Sequence, residues 1–240
     1  MRLAARPALL AVLAASLLAG CASGGPQASG HRLDLGGPRD RDRDEFRRAN
    51  PSAVIAAELA FARLAQEKGQ WTAFLETSTS DAVMFVPQPV RAHDWLRRQS
   101  NPAEAVKWQP HQVWSSCDGT LAVTKGAWQQ SDGTVGYFTT VWERQRRGEY
   151  KWVMDQGDEL AQPLDAPAMV GATAAACGSQ PTPPATLLAG PADKIDSGAS
   201  RDGTLRWHVV TSPDGGRSVV AEYWNGSAWQ SAFREQVAAS

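Results

Sequence analysis

Histidine and tyrosine, side chains that often move protons in active sites, are scarce: the 240-residue chain has 4 His and 3 Tyr. The histidines are His31, His93, His111 and His208, and no pair has the spacing of a metal site on one helix or hairpin, so no metal is expected. A Gly-x-Ser-x-Gly elbow, a phosphate loop and a dinucleotide fingerprint are all missing, which excludes the chemistry those loops serve and leaves no cofactor to expect. Positive charge is not in surplus either: 24 Lys and Arg stand against 25 Asp and Glu, a formal net charge of −1. A nucleic-acid partner needs a basic face to neutralise phosphates, so none is expected.

Long apolar runs are confined to the N-terminus. Arg2 and Arg6 flank and precede residues 8–18, which are apolar apart from Ser16, and small residues follow, the layout of a secretory signal. The run falls short of the roughly 20 residues that a membrane-crossing helix needs. It ends in Leu18-Ala19-Gly20-Cys21, which resembles the lipobox of bacterial lipoproteins, where the signal is cut before the cysteine and that cysteine is acylated. The resemblance implies a signal peptide over residues 1–20, lipidation at Cys21 and a membrane partner reached through the anchor. Each buried methylene of the acyl chains contributes about 0.8 kcal/mol. Ala22 stands where an inner-membrane retention signal would have Asp, which implies the outer membrane, with the chain facing the periplasm. An ordinary cleaved signal with an incidental cysteine is the alternative.

With Cys21 carrying lipid, Cys117 and Cys177 remain, an even pair in an oxidising compartment where disulfides persist. A bridge would close a loop of about 60 residues, stabilising the fold by roughly 4 kcal/mol on the loop-entropy picture. Two free thiols are the other reading. Neither cysteine has a histidine or basic cluster beside it to lower its pKa, so neither reads as a nucleophile.

Residues 21–50 are Gly, Pro, Ser and alternating charge, as in "GGPRDRDRDEFRR", and read as a disordered tether. Order begins at Asn50-Pro51-Ser52, a helix-start signal. From there Val54, Ile55, Leu59, Ala62 and Leu64 predict the apolar stripe of a helix that Gly69 stops, and "QWTAFLE" predicts a second short helix. A strand, "DAVMFVP", and a short helix, "AHDWLRRQ", come next. Four extended runs then follow, separated by Cys117-Asp118-Gly119, Ser131-Asp132-Gly133 and Arg146-Arg147-Gly148. This is an α+β domain over residues 51–160. Residues 161–200, rich in Ala, Pro, Gly and Ser, read as a linker. Residues 201–237 read as a small three-stranded β meander, too small to stand alone and so packed on the first domain.

The phrases "AAELAFARLAQEKGQWTAFLE", "DAVMFVP", "LAVTKGAW", "GYFTTVWERQ" and "YKWVMDQG", in this order, resemble the nuclear-transport-factor-2-like superfamily, in its SnoaL-like branch. The resemblance covers under half of the chain. It implies a cone: a curved antiparallel sheet wrapped by the N-terminal helices, an apolar pocket inside, and frequent homodimerisation through the sheet. The superfamily includes ketosteroid isomerase and polyketide cyclases, which implies that an enzyme must be considered. The isomerase carboxylate just before a proline is matched here by Val86 before Pro87, and the first helix has no tyrosine, so that chemistry is missing at its own positions.

Site candidates come from the stretch "GYFTTVWERQRRGEYKWVMDQG", read as a hairpin. With Arg147-Gly148 as its turn, Gln145 faces Tyr150, Trp142 faces Val153 and Thr140 faces Asp155. Both faces are apolar in the middle, so something must cover each: helices on one side, a dimer partner or the C-terminal meander on the other. Asp155 is the best acidic candidate, a carboxylate that partial desolvation would raise in pKa, with Tyr137 and His93 as the other catalytic candidates. An exposed Asp155 bonded to nearby hydroxyls and a capping His93 are the bland alternatives. Trp142, Thr140, Asp155 and Trp95 are the expected ligand-binding residues for an apolar or aromatic small molecule. The leading expectation is an envelope lipoprotein with a non-catalytic binding or accessory domain. The others are a cyclase, isomerase or hydrolase using a pocket carboxylate, and a protein-interaction module.

Overall fold

The computed structural model describes residues 48–178, 181, 190 and 192–239. The expected signal, Cys21 and residues 21–47 of the expected tether lie outside the described residues. Among the described residues no helix is long and apolar enough to cross a membrane.

Helix α1 (Pro51–Lys68) starts where the cap signal places it. Asn50 Oδ1 accepts from Ala53 N at 3.1 Å, and Pro51 takes a first-turn position that needs no N–H. Gly69 ends the helix with φ at 98°, and helix α2 (Gln70–Thr77) follows at once. The first N–H groups of α2 are capped from a distant loop: Asn101 Oδ1 accepts from Trp71 N at 2.8 Å and Thr72 N at 3.1 Å. A Cβ on Gly69 would meet Asn101 Cγ at 2.4 Å, so this position needs glycine for space as well as for φ.

The buried face of α1 is Val54, Glu58, Phe61 and Ala65. The stripe expected through Leu59 is therefore rotated, and Leu59 is 48% exposed. Apolarity alone chose Leu59, whereas the structure seats a neighbouring glutamate inward because three donors await it. Phe61, fully buried, contributes roughly 1.5–3 kcal/mol of transfer free energy to this face.

The first sheet comprises β1 (Ser78–Phe85), β2 (Pro89–Arg91), β3 (Lys107–Ser115), β4 (Leu121–Gln129), β5 (Val135–Arg144), β6 (Tyr150–Leu160) and β7 (Gly171–Ala174), with a short helix α3 (Ala92–Leu96) after β2. Its order is β2-β1-β6-β5-β4-β3-β7, a curved sheet with helices on one face. Strands β3 to β6 form the expected antiparallel meander. The sheet is nevertheless mixed, because β1 joins β6 and β7 joins β3 in parallel.

The β5–β6 connection departs from a two-residue turn. Gln145 N donates to Glu149 O at 2.8 Å and Gly148 N to Gln145 O at 2.9 Å, so Trp142 faces Trp152 and not Val153. A bulge at Val153 then restores the expected Thr140–Asp155 pair, and both tryptophans sit on the helix side.

The chain after residue 160 differs most from expectation. Residues 161–200 are not all linker: β7 pairs with β3, and β8 (Lys194–Ala199) opens a second sheet with β9 (Leu205–Thr211), β10 (Arg217–Trp224) and β11 (Trp229–Val237). This sheet has four antiparallel strands, not three, in the order β11-β10-β9-β8. Strand β8 reads "KIDSGA", too poor in apolar residues to signal a strand, and it is held as an edge by its pairing with β9. The second sheet covers the face of the first that points away from the helices. Leu121, Val123, Val141 and Met154 form one core there with Leu205, Trp207, Val209, Val219 and Ala221.

The second sheet also repeats the first. Ser116-Cys117-Asp118-Gly119-Thr120-Leu121 and Ser200-Arg201-Asp202-Gly203-Thr204-Leu205 share five of six residues and one turn geometry. In each, the serine hydroxyl donates to the aspartate (2.7 and 2.6 Å) and accepts from the leucine N–H (3.2 and 3.1 Å). The two glycines have φ of 63° and 71°. Each turn leads into a meander with a bulge between its last two strands, at Val141/Trp142 and at Ala221/Glu222. The turns also bond to each other: Asp118 N donates to Asp202 Oδ2 at 2.9 Å, and Asp202 N to Asp118 Oδ2 at 3.2 Å. Cys117 Sγ is bonded to Cys177 Sγ, with the Cα atoms 5.3 Å apart, which ties the chain after β7 to this junction.

Candidate functional site

Between α2 and the helix side of the first sheet lies a cavity of about 470 Å³. Its walls are aromatic: Trp71 and Phe74 from α2, Trp108 from β3, Trp128 from β4 and Phe138 from β5. The rings meet edge to face, with centroids 5.5 Å apart for Trp71 and Phe74 and 6.0 Å for Phe74 and Trp108. Exposed Gln130 and Glu159 mark the mouth, beside Asp158.

Glycines make the strand side of these walls. A Cβ on Gly136 would meet the Trp128 ring at 2.2 Å, so only glycine on β5 lets that indole lie against the sheet, where its Nε1 donates to Tyr137 O at 2.9 Å. Gly126 likewise makes room for Phe138, whose Cε1 lies 2.6 Å from where its Cβ would stand. The sequence "KGAWQQSDGTVGYF" thus encodes two aromatic walls by leaving side chains out.

Asp155 on β6 enters this cavity. Its Oδ2 accepts from Thr140 Oγ1 at 2.7 Å, and among the described residues Oδ1 accepts no hydrogen bond. Burial pushes its carboxyl up to about 7; the Thr140 bond pulls it down, and the charge of Glu58 adds to the rise. Its partial exposure is to the cavity, a site hemmed by aromatic rings, so the desolvation is real although the residue is not sealed off.

Glu58 is a second carboxyl behind the wall and is fully buried. Its Oε1 accepts from Trp108 Nε1 at 2.8 Å, and its Oε2 accepts from Thr124 Oγ1 at 2.6 Å and from Trp142 Nε1 at 3.1 Å. Burial raises its pKa, and these three bonds oppose the rise. Glu58 therefore holds Trp108, a cavity wall, and pins α1 to β3, β4 and β5.

The other expected site residues lie elsewhere. Thr140 is fully buried and acts through Asp155. Trp142 is buried at 1% exposure and does not line the cavity: it shares a face of β5 with Thr140 and Phe138, but Glu58 and Phe61 of α1 cover it, the Phe61 and Trp142 ring centroids lying 6.1 Å apart. Trp95 packs edge to face on Trp71 at 5.2 Å, one layer outside the wall. Tyr137 points to the second sheet with Lys125 Nζ 5.0 Å from its ring centroid, and burial, then Glu235, pushes its hydroxyl up to about 12. His93 Nε2 lies 3.0 Å from Ser78 Oγ, with its pKa lowered by burial and then by Arg97 and Lys151. Neither Tyr137 nor His93 lines the cavity with Asp155.

Trp108 and Trp128 belong to the set of tryptophans on residues 51–160 of which one or two are expected at a pocket, whereas Glu58 and Phe138 carry no such expectation. A signal for Glu58 was available: Val54, Phe61 and Ala65 have helical spacing with Glu58 at the one gap in the row. Among the described residues no group of three or more His, Cys, Asp or Glu could hold a metal.

No protein-family model matches the chain, and no curated protein matches it. Solved structures do. The chain is similar to the CaMKII hub of S. rosetta, at 18% identity over 47% of this chain and 98% of that one, with a TM-score of 0.36. A candidate ketosteroid isomerase from Parabacteroides distasonis is 17% identical over 48% of this chain and 97% of its own, with a TM-score of 0.37. An NTF2-like protein of unknown function from Shewanella baltica is 14% identical over 46% and 94%, with a TM-score of 0.35. At these values the likenesses carry no argument about activity, and the fold stands on this chain's own strand order and register.

Proposed function

We propose that the chain binds a small molecule in the aromatic cavity, as the ligand-binding domain of an envelope lipoprotein anchored through Cys21 at the outer membrane and facing the periplasm. The observation that carries the binding role is the cavity of about 470 Å³, walled by rings on both sides and holding Asp155 Oδ1, which accepts no hydrogen bond among the described residues. That combination, mostly apolar lining with few polar groups, is how ligand sites generally bind and orient their occupants. Rings fixed by Glu58 and by glycine gaps give the site a preformed shape, which lowers the cost of ordering on binding. Native mass spectrometry of the purified chain should show an added mass that denaturation releases. A bare chain in every preparation, together with no fluorescence gain from N-phenyl-1-naphthylamine, would sink the reading. For the anchor, incorporation of a radiolabelled fatty acid should vanish in Cys21→Ser, and an unlabelled wild type ends that part.

A second reading is favoured by one observation, the Asp155 carboxyl near 7 inside an apolar cavity. A general base works best with a pKa near the working pH. On this reading Asp155 takes a proton from a carbon acid, with Thr140 orienting the carboxylate. Deuterium exchange into a flat ketone in wild type but not in Asp155→Asn would separate it from simple binding.

A further inference from the structure

The cavity is charged in one sense only. Among the described residues its lining includes three carboxylates, Asp155, Asp158 and Glu159, and no lysine, arginine or histidine. Cations stand close by, but they are matched. Arg217 reaches β6 from the second sheet, its Nε donating to Gln156 Oε1 at 3.1 Å and its Nη2 to Gly157 O at 2.6 Å. Lys125 is paired with Glu235, which also accepts from Gln156 Nε2 at 2.7 Å. Glu235 and Asp158 both act on Arg217, so two cations face two anions in this cluster. Asp155 and Glu159 remain without a matching cation in the lining.

Aromatic faces around an unmatched carboxylate suit one kind of guest. A ring carries negative charge on its face, so Trp71, Trp108, Trp128 and Phe138 attract an organic cation as well as excluding water from it. An anion would meet like charge at the mouth and at the floor. A neutral apolar guest would gain the ring contacts but leave the charge of Asp155 without a counter-ion. Resting on the small-molecule reading above, we infer that the occupant is an organic cation, a protonated amine or quaternary ammonium on a flat or apolar body, with Asp155 as its counter-ion and the tryptophans as its cage. The volume limits it to a molecule of modest size, a ring or two with its ammonium group.

The test compares three probes of similar shape on the full chain at about pH 8.5, above the Asp155 midpoint of about 7 so that the carboxylate is ionised: benzyltrimethylammonium, its neutral carbon isostere neopentylbenzene, and the anion benzenesulfonate, each followed by tryptophan fluorescence. The cation is expected to bind at least about tenfold tighter than the isostere, the size of one cation–π contact plus one counter-ion, and the anion is expected not to bind. Asp155→Asn should cost the cation about tenfold and leave the neutral isostere within about twofold, so a variant that keeps the neutral affinity has kept its fold. If the isostere binds as tightly as the cation, or if Asp155→Asn leaves cation affinity unchanged, the inference is overturned while the cavity reading stands. If none of the three binds and N-phenyl-1-naphthylamine also gains no fluorescence, both are overturned together.

Discussion

Thr140 Oγ1 and Asp155 Oδ2 lie 2.7 Å apart across β5 and β6, on residues that face each other directly in the ladder. The hydroxyl is itself fully buried, so it holds one side of a carboxylate whose other side meets the cavity. An unfolded-chain aspartate ionises near pH ~4, whereas burial keeps Asp155 protonated up to about 7. Between those values the native chain holds a proton that the unfolded chain has released. Stability from this group is therefore present in full below the window, falls as pH rises through it and levels off above. Thermal unfolding of wild type and Asp155→Asn from pH 4 to 8 should show a steeper loss in wild type. Parallel curves would contradict the assignment. Thr140→Val should move the Asp155 midpoint, read by carboxyl NMR, further up.

Glu58 satisfies two indole N–H groups and a hydroxyl in a fully buried place. Glu58→Leu keeps the bulk but strands Trp108 Nε1 and leaves Trp142 Nε1 and Thr124 Oγ1 with their weaker remaining acceptors, Thr124 Oγ1 and Thr140 O, and is expected to destabilise the chain by about 2–4 kcal/mol in urea unfolding. Glu58→Gln retains an acceptor and should cost clearly less. Equal losses would mean that packing and not hydrogen bonding sets the position.

The Cys117–Cys177 bridge closes a loop with a sequence separation of 60. Cys177→Ser should lower stability by about 3–4 kcal/mol, less any structure the open loop retains. Mass spectrometry without reductant should find the Cys117 and Cys177 peptides linked, and a map with both thiols alkylated would contradict the bond.

Asp118 and Asp202 each cap their own turn and accept from the other's backbone N–H. Each Asp→Ala change should cost about 1–2 kcal/mol. Both share one hydrogen-bonded junction, so the double variant should miss additivity by at least about 0.5 kcal/mol. Additive losses would show the two turns to be independent.

The helix starts, a strand expected over residues 81–87 and seen as Ser78–Phe85, the meander and the placing of Asp155 against Thr140 were legible because caps, Asp-Gly turns and alternation are local signals. What escaped was non-local. Glu58 carries little local signal of burial because its partners come from strands 50 to 84 residues away. Trp142 lies on the expected face of β5 with Thr140, but which part of that face α1 covers is not written in the strand pattern, and Glu58 and Phe61 close over it. Trp128 and Phe138 became walls through glycines, whose meaning depends on what fills the space they leave. β7 and β8 carry almost no apolar signal and exist as strands only because β3 and β9 offer edges to them.

The twice-written turn, Ser116 to Leu121 and Ser200 to Leu205, sets two related meanders against each other within one polypeptide. A face that would otherwise need a second molecule is met by a strand set tethered to it, at an effective concentration fixed by the connecting chain and the Cys117–Cys177 bond. Closure of that face is therefore a unimolecular event: dilution does not loosen it, and a neighbouring copy must displace a covalently retained competitor before it can dock there.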